Sequence, residues 1–243
     1  MNLLAFDTST ERMSIALQRD TGDTTTLWQH SAAGGALTST HLIPEIQRLM
    51  AQAQLGFGAL DVIVFGAGPG SFTGLRTACS VAQGLAFGVG VPVLPVDTLL
   101  AVAEDARAQL GSPAVLSVTA LLDARMDELY AASYRFESGV WNVTKGYSLI
   151  HPENLVCDGV EVLAGNVFAT YGQRLNDAGA QRVDALPTAV AMLRLAPALL
   201  AAGAAVPAEQ ALPTYIRDKV AQTTQERAAI KLALAADLNG ASR

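Results

Sequence analysis

The sequence predicts an α/β protein made of two structurally related lobes, each a mixed sheet with flanking helices. The first half of the chain reads as three strands followed by helix, strand, helix, strand and helix. The second half again begins with consecutive strands, and a turn-forming stretch, Gly111-Ser112-Pro113, separates the two halves. We therefore predict a first lobe at residues 1–110, joined by the C-terminal segment 218–243, and a second lobe at residues 111–217.

The first-lobe elements follow from the spacing of apolar residues. Residues 2–30 alternate apolar and polar side chains, which predicts a three-stranded meander. Apolar residues recur at helical spacing from Thr38 to Leu55 and predict a helix. The remaining predicted elements are a strand at residues 61–65, a helix at residues 71–89, a strand at residues 92–96 and a helix capped by Asp97 that ends near Leu110.

The second lobe is predicted to contain strands at residues 114–122, 129–136 and 141–150, with a weak strand at residues 160–163. A helix is predicted at residues 188–202 around Pro197, and an alanine-rich helix at residues 222–238.

Composition limits the classes of function. The chain has 243 residues, of which 51% are hydrophobic, enough for a sizeable core. Its 22 acidic and 16 basic side chains give a net charge of −6 without a basic cluster, so positive surface for nucleic acid must come from another molecule. Cys79 and Cys157 lack metal-type spacing and are predicted to be reduced thiols. The N-terminus does not read as a signal peptide and no segment reads as a membrane span, which predicts a cytoplasmic protein.

A glycine-rich loop, Gly-Ala-Gly-Pro-Gly-Ser-Phe-Thr-Gly-Leu-Arg at residues 66–76, joins a predicted strand to a helix. Such a loop leaves backbone N–H groups open at a helix N-terminus, where an anion can bind, and the Ser71 hydroxyl can cap the helix. The loop lacks the lysine of a P-loop and the last glycine of the Rossmann fingerprint. The candidate phosphate-binding residues here are Gly68, Gly70, Ser71 and Thr73.

The turn after the first strand, Asp7-Thr8-Ser9-Thr10, offers a carboxylate and hydroxyls that can surround a phosphate and its metal. These residue types are also common in polar hairpin turns, and that alternative stays open. The candidate residues at this turn are Asp7, Thr8 and Ser9.

Two helices are predicted to form an interaction surface. In the helix at residues 71–89, Gly74, Ala78, Ala82 and Ala86 recur every fourth residue, so that another helix can approach closely. The same pattern also fits packing of the helix on its own sheet, and both interpretations stay open. The helix near residues 40–55 contributes His41, Leu42, Ile43, Ile46, Leu49 and Met50 to the predicted partner and dimer interface.

No catalytic set emerges from the sequence. The three histidines, His30, His41 and His151, form no helical metal-binding pair. Asp123, Asp127 and Glu128 are explained by a solvated turn, since no nucleophile or base accompanies them. We predict no catalytic residue, no metal and no cofactor, with weak or vestigial nucleotide binding left open.

Several strings in the chain resemble the bacterial TsaB (YeaZ) family, whose members take part in threonylcarbamoyladenosine biosynthesis on tRNA. The strings are Leu-Ala-Phe-Asp-Thr-Ser-Thr at 4–10, Thr-His-Leu-Ile-Pro at 40–44, Phe-Gly-Ala-Gly-Pro-Gly-Ser-Phe-Thr-Gly-Leu-Arg at 65–76, Ala-Gln-Gly-Leu-Ala at 82–86, Asp-Ala-Arg-Met-Asp-Glu-Leu-Tyr at 123–130 and Pro-Thr-Tyr-Ile-Arg at 213–217.

The resemblance implies a two-lobed actin-like (ASKHA, ribonuclease H-like) fold and a homodimer when the protein is alone. It also implies a catalytic partner, the paralogous TsaD, which modifies adenosine 37 of ANN-decoding tRNAs, and an ATPase, TsaE, that joins the complex. TsaD-like proteins use two histidines for a metal and a glycine-rich hairpin for nucleotide. This chain keeps only the helix carrying His41, and its hairpin position reads Asp123-Ala-Arg-Met-Asp127 without glycine.

The resulting prediction is a non-catalytic subunit that binds and activates a TsaD-like enzyme, with tRNA reached only through the complex. The alternative is a nucleotide-dependent enzyme of the actin-like superfamily that uses Asp7 and the glycine loop. A metallopeptidase fails on the missing histidine pair.

Overall fold

The structure, a computed structural model, describes residues 1–35, 38–157 and 159–217. The predicted helix at residues 222–238, and the predicted role of residues 218–243 in the first lobe, lie outside the described residues.

The first lobe is built on a five-stranded mixed sheet in the order β3-β2-β1-β4-β5. Strand β1 pairs antiparallel with β2, where Ala5 lies opposite Ala16, and parallel with β4, where Ala5 lies opposite Val64. The predicted meander and the two later strands are thereby confirmed. The strands are β1 (Leu3–Asp7), β2 (Arg12–Asp20), β3 (Thr25–Ala33), β4 (Val62–Gly68) and β5 (Val93–Asp97).

The second sheet repeats this topology in the order β10-β9-β6-β7-β8. Its central strand β6 pairs antiparallel with β7, where Ala120 lies opposite Ala132, and parallel with β9, where Ala120 lies opposite Ala164. The prediction of two related lobes is confirmed. The strands are β6 (Leu116–Arg125), β7 (Glu128–Glu137), β8 (Val140–Ile150), β9 (Val162–Gly165) and β10 (Gln181–Asp184).

The helices are α1 (Thr38–Gln52), α2 (Phe72–Val89), α3 (Thr98–Gln109), α4 (Phe168–Tyr171) and α5 (Ala189–Ala201). The short elements α4 and β10 were not predicted. In β10 only Val183 is buried, so the strand shows no alternation of apolar and polar residues. None of the described helices combines the length and apolar character needed to cross a membrane.

Both faces of the first sheet are buried because alternate side chains on β1 and β4 enter two different apolar clusters. Leu4 and Ile63 pack with α1 and α2. Leu3 and Val62 on the opposite face pack with α5.

Each sheet packs against a helix that the chain order would assign to the other lobe. Helix α5, which follows the second sheet in the chain, covers the first sheet through Met192 and Leu195. Helix α3, which follows the first sheet, packs Val102 and Ala106 against the second sheet. The chain boundary predicted at residue 110 therefore does not separate two independent packing units.

Asp97 links the two lobes through hydrogen bonds. As predicted, its carboxylate caps α3 by accepting from the backbone N–H of Leu99, at 2.9 Å. It also accepts from the hydroxyl of Tyr134 on β7, at 2.5 Å. Burial raises the pKa of this carboxyl, although the hydrogen bonds oppose the shift.

Candidate functional site

A cleft of about 610 Å³ lies between the lobes. It is lined by the β1–β2 turn, the glycine loop, the β6–β7 turn and residues 214–217. The two elements predicted to bind phosphate therefore face the same cleft, through Ser9, Gly70 and Ser71. Asp7, Thr8 and Gly68 are buried, and Thr73 is exposed.

The Asp7 carboxylate is buried at the end of β1, with 1% of its surface exposed. Oδ1 accepts hydrogen bonds from the backbone N–H and the hydroxyl of Ser9, at 3.0 and 2.8 Å. Oδ2 is buried without a hydrogen-bond partner among the described residues. Burial raises the pKa of Asp7 to about 7, while the bonds from Ser9 act in the opposite direction. With this pKa the Asp7 carboxyl is largely protonated below neutral pH.

The β1–β2 turn lies directly against the N-terminal turn of α2. The backbone N–H of Ser71 donates to the carbonyl of Ser9 at 2.7 Å, and the Thr8 hydroxyl donates to the carbonyl of Gly74 at 2.6 Å. A Cβ atom on Gly74 would lie 1.8 Å from the carbonyl oxygen of Thr8. The N–H group of Ser71 is used in this contact, and the N–H group of Ser9 already donates to Asp7 Oδ1, so two donors that a phosphate between the loops would need are occupied.

Ser71 is the residue before α2, but its hydroxyl makes no capping hydrogen bond, so the predicted cap was wrong. The glycines of the loop are explained by close approach. At Gly68, φ is +123° and a Cβ atom would lie 2.5 Å from the carbonyl oxygen of Thr214. A side chain is excluded there by both conformation and space.

The predicted interface was wrong for most of its residues. Leu42, Ile46, Leu49, Met50, Ala78, Ala82 and Ala86 are buried in the first-lobe core. The bare stripe of α2 packs on the protein's own sheet, because small side chains let the helix lie close to the strands, and Gly74 meets Thr8. Only His41 and Ile43 among the named residues are exposed. The exposed large apolar side chains of the two helices are Ile43 at 43% and Phe87 at 82%.

The β6–β7 turn carries carboxylates that are each bound to an arginine. Asp123 pairs with Arg125, Asp127 makes two bonds to Arg174 at 2.5 and 2.7 Å, and Glu128 pairs with Arg217. The pairing with Arg174 lowers the pKa of Asp127. Each of these carboxylates is thus held in an ion pair with an arginine.

The β6–β7 turn has an unusual backbone conformation that could not be predicted from the sequence. Arg125, Met126 and Asp127 are consecutive left-handed residues with φ of 61, 55 and 63°. No glycine or asparagine marks this conformation, which side chains disfavour. Arg217, whose role was also missed, binds this turn from the far end of the described chain.

No cluster of three or more histidine, cysteine or acidic side chains suited to a metal occurs in the described part of the chain. His41 is exposed near the start of α1.

The fold and the cleft define a two-lobed protein of the actin-like class. The model of the TsaD family, tRNA N6-adenosine threonylcarbamoyltransferase, matches residues 35–238. The tRNA threonylcarbamoyladenosine biosynthesis protein TsaB of Escherichia coli (strain K12) is 33% identical over 231 residues, covering 91% of this chain and 96% of the relative. A similar TsaB protein of Haemophilus influenzae is 33% identical over 232 residues, covering 90% and 95%.

Among solved structures, YeaZ from Pseudomonas aeruginosa superimposes with a TM-score of 0.79 at 37% identity, covering 88% of this chain and 99% of that one. The chain belongs to the TsaB (YeaZ) family.

Proposed function

We propose that the chain is a non-catalytic subunit of the machinery for threonylcarbamoyladenosine biosynthesis on tRNA, and that it binds and activates a TsaD-like enzyme that modifies adenosine 37 of ANN-decoding tRNAs. A TsaE-like ATPase joins the complex, the chain forms a homodimer when alone, tRNA is reached through the complex, and the location is cytoplasmic. No cofactor is needed by this chain.

The observation that carries the proposal is the direct contact between the β1–β2 turn and α2. The Ser71–Ser9 and Thr8–Gly74 hydrogen bonds hold the turn directly against the start of α2 and occupy the N–H group of Ser71. The turn of the second lobe offers ion-paired Asp123 and Arg125 instead of a glycine-rich phosphate loop. Phosphoryl transfer needs a positioned phosphate, metal and base, and this cleft supports none of them well.

The experiment that tests the function is reconstitution of the tRNA modification from the purified partner enzyme, the ATPase and this chain. Modification that requires the chain supports the proposal. Full modification without it would overturn the proposal.

We propose that the partner surface lies on the outward faces of α1 and α2. Ile43 and Phe87 are the exposed large apolar side chains there, and aromatic and aliphatic anchors dominate binding energy at protein interfaces. If the homodimer uses the same face, the two assemblies compete by mass action.

We expect Phe87→Ser to weaken the complex with the partner enzyme by roughly tenfold or more, because a truncated anchor loses about 1.4 kcal/mol or more of binding free energy. Isothermal titration calorimetry measures this effect, and analytical ultracentrifugation measures the homodimer. Val143→Ser is the matched control, since Val143 is 65% exposed on β8 in the second lobe. Intact assemblies in the Phe87 variant would show that this face is not the interface.

The alternative, a nucleotide-dependent enzyme, is favoured by the size of the cleft and by Asp7 at the end of β1. ATP hydrolysis by the purified chain, abolished in Asp7→Ala, would support it.

A further inference from the structure

Residues 206–217 form a strap that is fixed to the first lobe. Val206 pairs with Val93 at the edge of the first sheet. The carbonyl of Ala211 accepts from Gln83 on α2 at 2.9 Å, and the backbone N–H of Thr214 donates to the carbonyl of Ala67 at 2.7 Å. Residues 206–214 of the strap are therefore attached to the first lobe.

The strap is also held by aromatic contacts at the start of α2. The rings of Phe72 and Tyr215 lie 5.3 Å apart, and Arg76 stacks on Phe72 at 3.9 Å while donating from Nε to the Tyr215 hydroxyl. Two residues further along, the chain reaches Arg217 at the cleft.

Arg217 crosses from the strap to the second lobe. Its Nη2 donates to the carbonyl oxygens of Ala124 and Arg125, at 3.1 and 3.3 Å, and to the Glu128 carboxylate, at 2.5 Å. The side chain is 13% exposed, so these charge-assisted bonds are shielded from water. They hold the turn whose backbone is left-handed at three consecutive residues.

A second link joins the two turns that face each other across the cleft. Arg125 of the β6–β7 turn is ion-paired with Glu11 next to the β1–β2 turn. Both side chains are exposed, so this pair alone adds little stability. The protein's own side chains therefore connect the two turns across the cleft.

We propose that Arg217 is an inter-lobe latch that holds the β6–β7 turn against the first lobe without any ligand, and that activation of the partner enzyme depends on this fixed arrangement. Arg217 is a positioning residue. The part of this proposal that concerns activation of the partner enzyme rests on the proposed function. The second lobe is thereby presented to the partner in one orientation relative to α1 and α2.

Hydrogen–deuterium exchange of the full chain tests the latch, with Arg217→Gln compared with Arg174→Gln. Both arginines bind the β6–β7 turn, but only Arg217 is tied to the first lobe. We expect Arg217→Gln to raise exchange about tenfold at residues 124–128 and also at residues 214–216, since charge-assisted bonds are lost. In Arg174→Gln the rise is confined to the turn.

Unchanged exchange in Arg217→Gln would overturn the latch. A marked slowing of exchange at residues 124–128 when Mg-ATP is added to the unaltered chain would also overturn the latch. In that case a bound ligand, and not Arg217 alone, would hold the turn in place. Glu128→Gln, which keeps both carbonyl acceptors, is expected to give a smaller rise than Arg217→Gln and serves as a second variant if the latter folds poorly.

Reconstitution tests the dependence of activation. At saturating concentration, Arg217→Gln is expected to lower the kcat of the modification reaction roughly fivefold or more. Its Kd for the partner stays within about twofold, because α1 and α2 are untouched, and Arg174→Gln keeps the full rate. A full rate with Arg217→Gln would overturn the proposal.

The two proposals fail in different ways. If the unaltered chain neither binds nor stimulates the partner, the proposed function is wrong, and the dependence of activation on Arg217 is overturned with it, whatever the exchange data show.

Discussion

Gly74→Ala is expected to lower the free energy of unfolding by about 3 kcal/mol, a large effect for the addition of one methyl group. The new Cβ would lie 1.8 Å from the Thr8 carbonyl oxygen, and a contact under 3.0 Å forces an atom to move. Here both neighbours are backbone, so the turn and the helix must separate. The hydrogen bond from the Thr8 hydroxyl to the Gly74 carbonyl would then be strained as well. Urea unfolding followed by circular dichroism measures the change.

Gly84→Ala is the matched control on the same helix. Nothing lies within 4 Å of a Cβ atom built at Gly84, and the position is exposed. Alanine there is expected to stabilise the protein by about 0.5–1 kcal/mol, because it reduces the backbone freedom of the unfolded chain. Equal destabilisation by the two substitutions would contradict the close contact between the β1–β2 turn and α2.

Asp7→Asn is expected to remove a pH dependence of stability that the unaltered chain shows. The pKa of Asp7 is raised from 3.8 to about 7 by burial. Below about pH 4 the carboxyl is protonated in both the folded and unfolded states, and ionisation costs nothing. As the pH rises to about 7, the unfolded state loses this proton and the folded state keeps it. The contribution of Asp7 to stability therefore falls with pH, by up to about 4 kcal/mol.

The measurement is the difference in unfolding free energy between the two proteins from about pH 2 to about pH 8. We expect the unaltered chain to lose stability relative to Asp7→Asn above about pH 4 and then to level off. Asp20→Asn is a control of opposite sign, because the pKa of Asp20 is lowered by hydrogen bonds from Gly22 and the N-terminus. The stability that Asp20 contributes is present above about pH 4 and lost on acidification. A constant difference for Asp7 would mean that a donor or cation pairs with Oδ2.

The strands and long helices could be predicted from sequence because their apolar spacing is set by local geometry. The period of α1 correctly placed Leu42, Ile46 and Leu49 on one face. The pattern could not say whether that face meets the protein's own sheet or another molecule, since burial in either place requires the same residues. The same ambiguity explains why the small residues of α2, which pack on the protein's own sheet, were predicted to form an interface.

The part of the site that could be predicted is the part whose position follows from the order of the strands. Asp7 and the glycine loop follow neighbouring parallel strands, so their convergence at one cleft follows from the topology. The contact between the β1–β2 turn and Gly74 depends on distances of a few ångströms, which no spacing rule encodes. Arg217 reaches the β6–β7 turn from a position 89 residues away from Glu128, and no local pattern marks such a pair.

The exchange of α3 and α5 sets an order of events during synthesis on the ribosome. Strands β1 and β4 emerge early, but the helix that covers Leu3 and Val62 is made only after the whole second sheet. Until α5 has been synthesised, one apolar face of the first sheet is uncovered, and this state favours aggregation and chaperone binding. The second sheet can pack on α3 as soon as it forms, whereas the first sheet is covered on both faces only when residues 189–201 leave the exit tunnel.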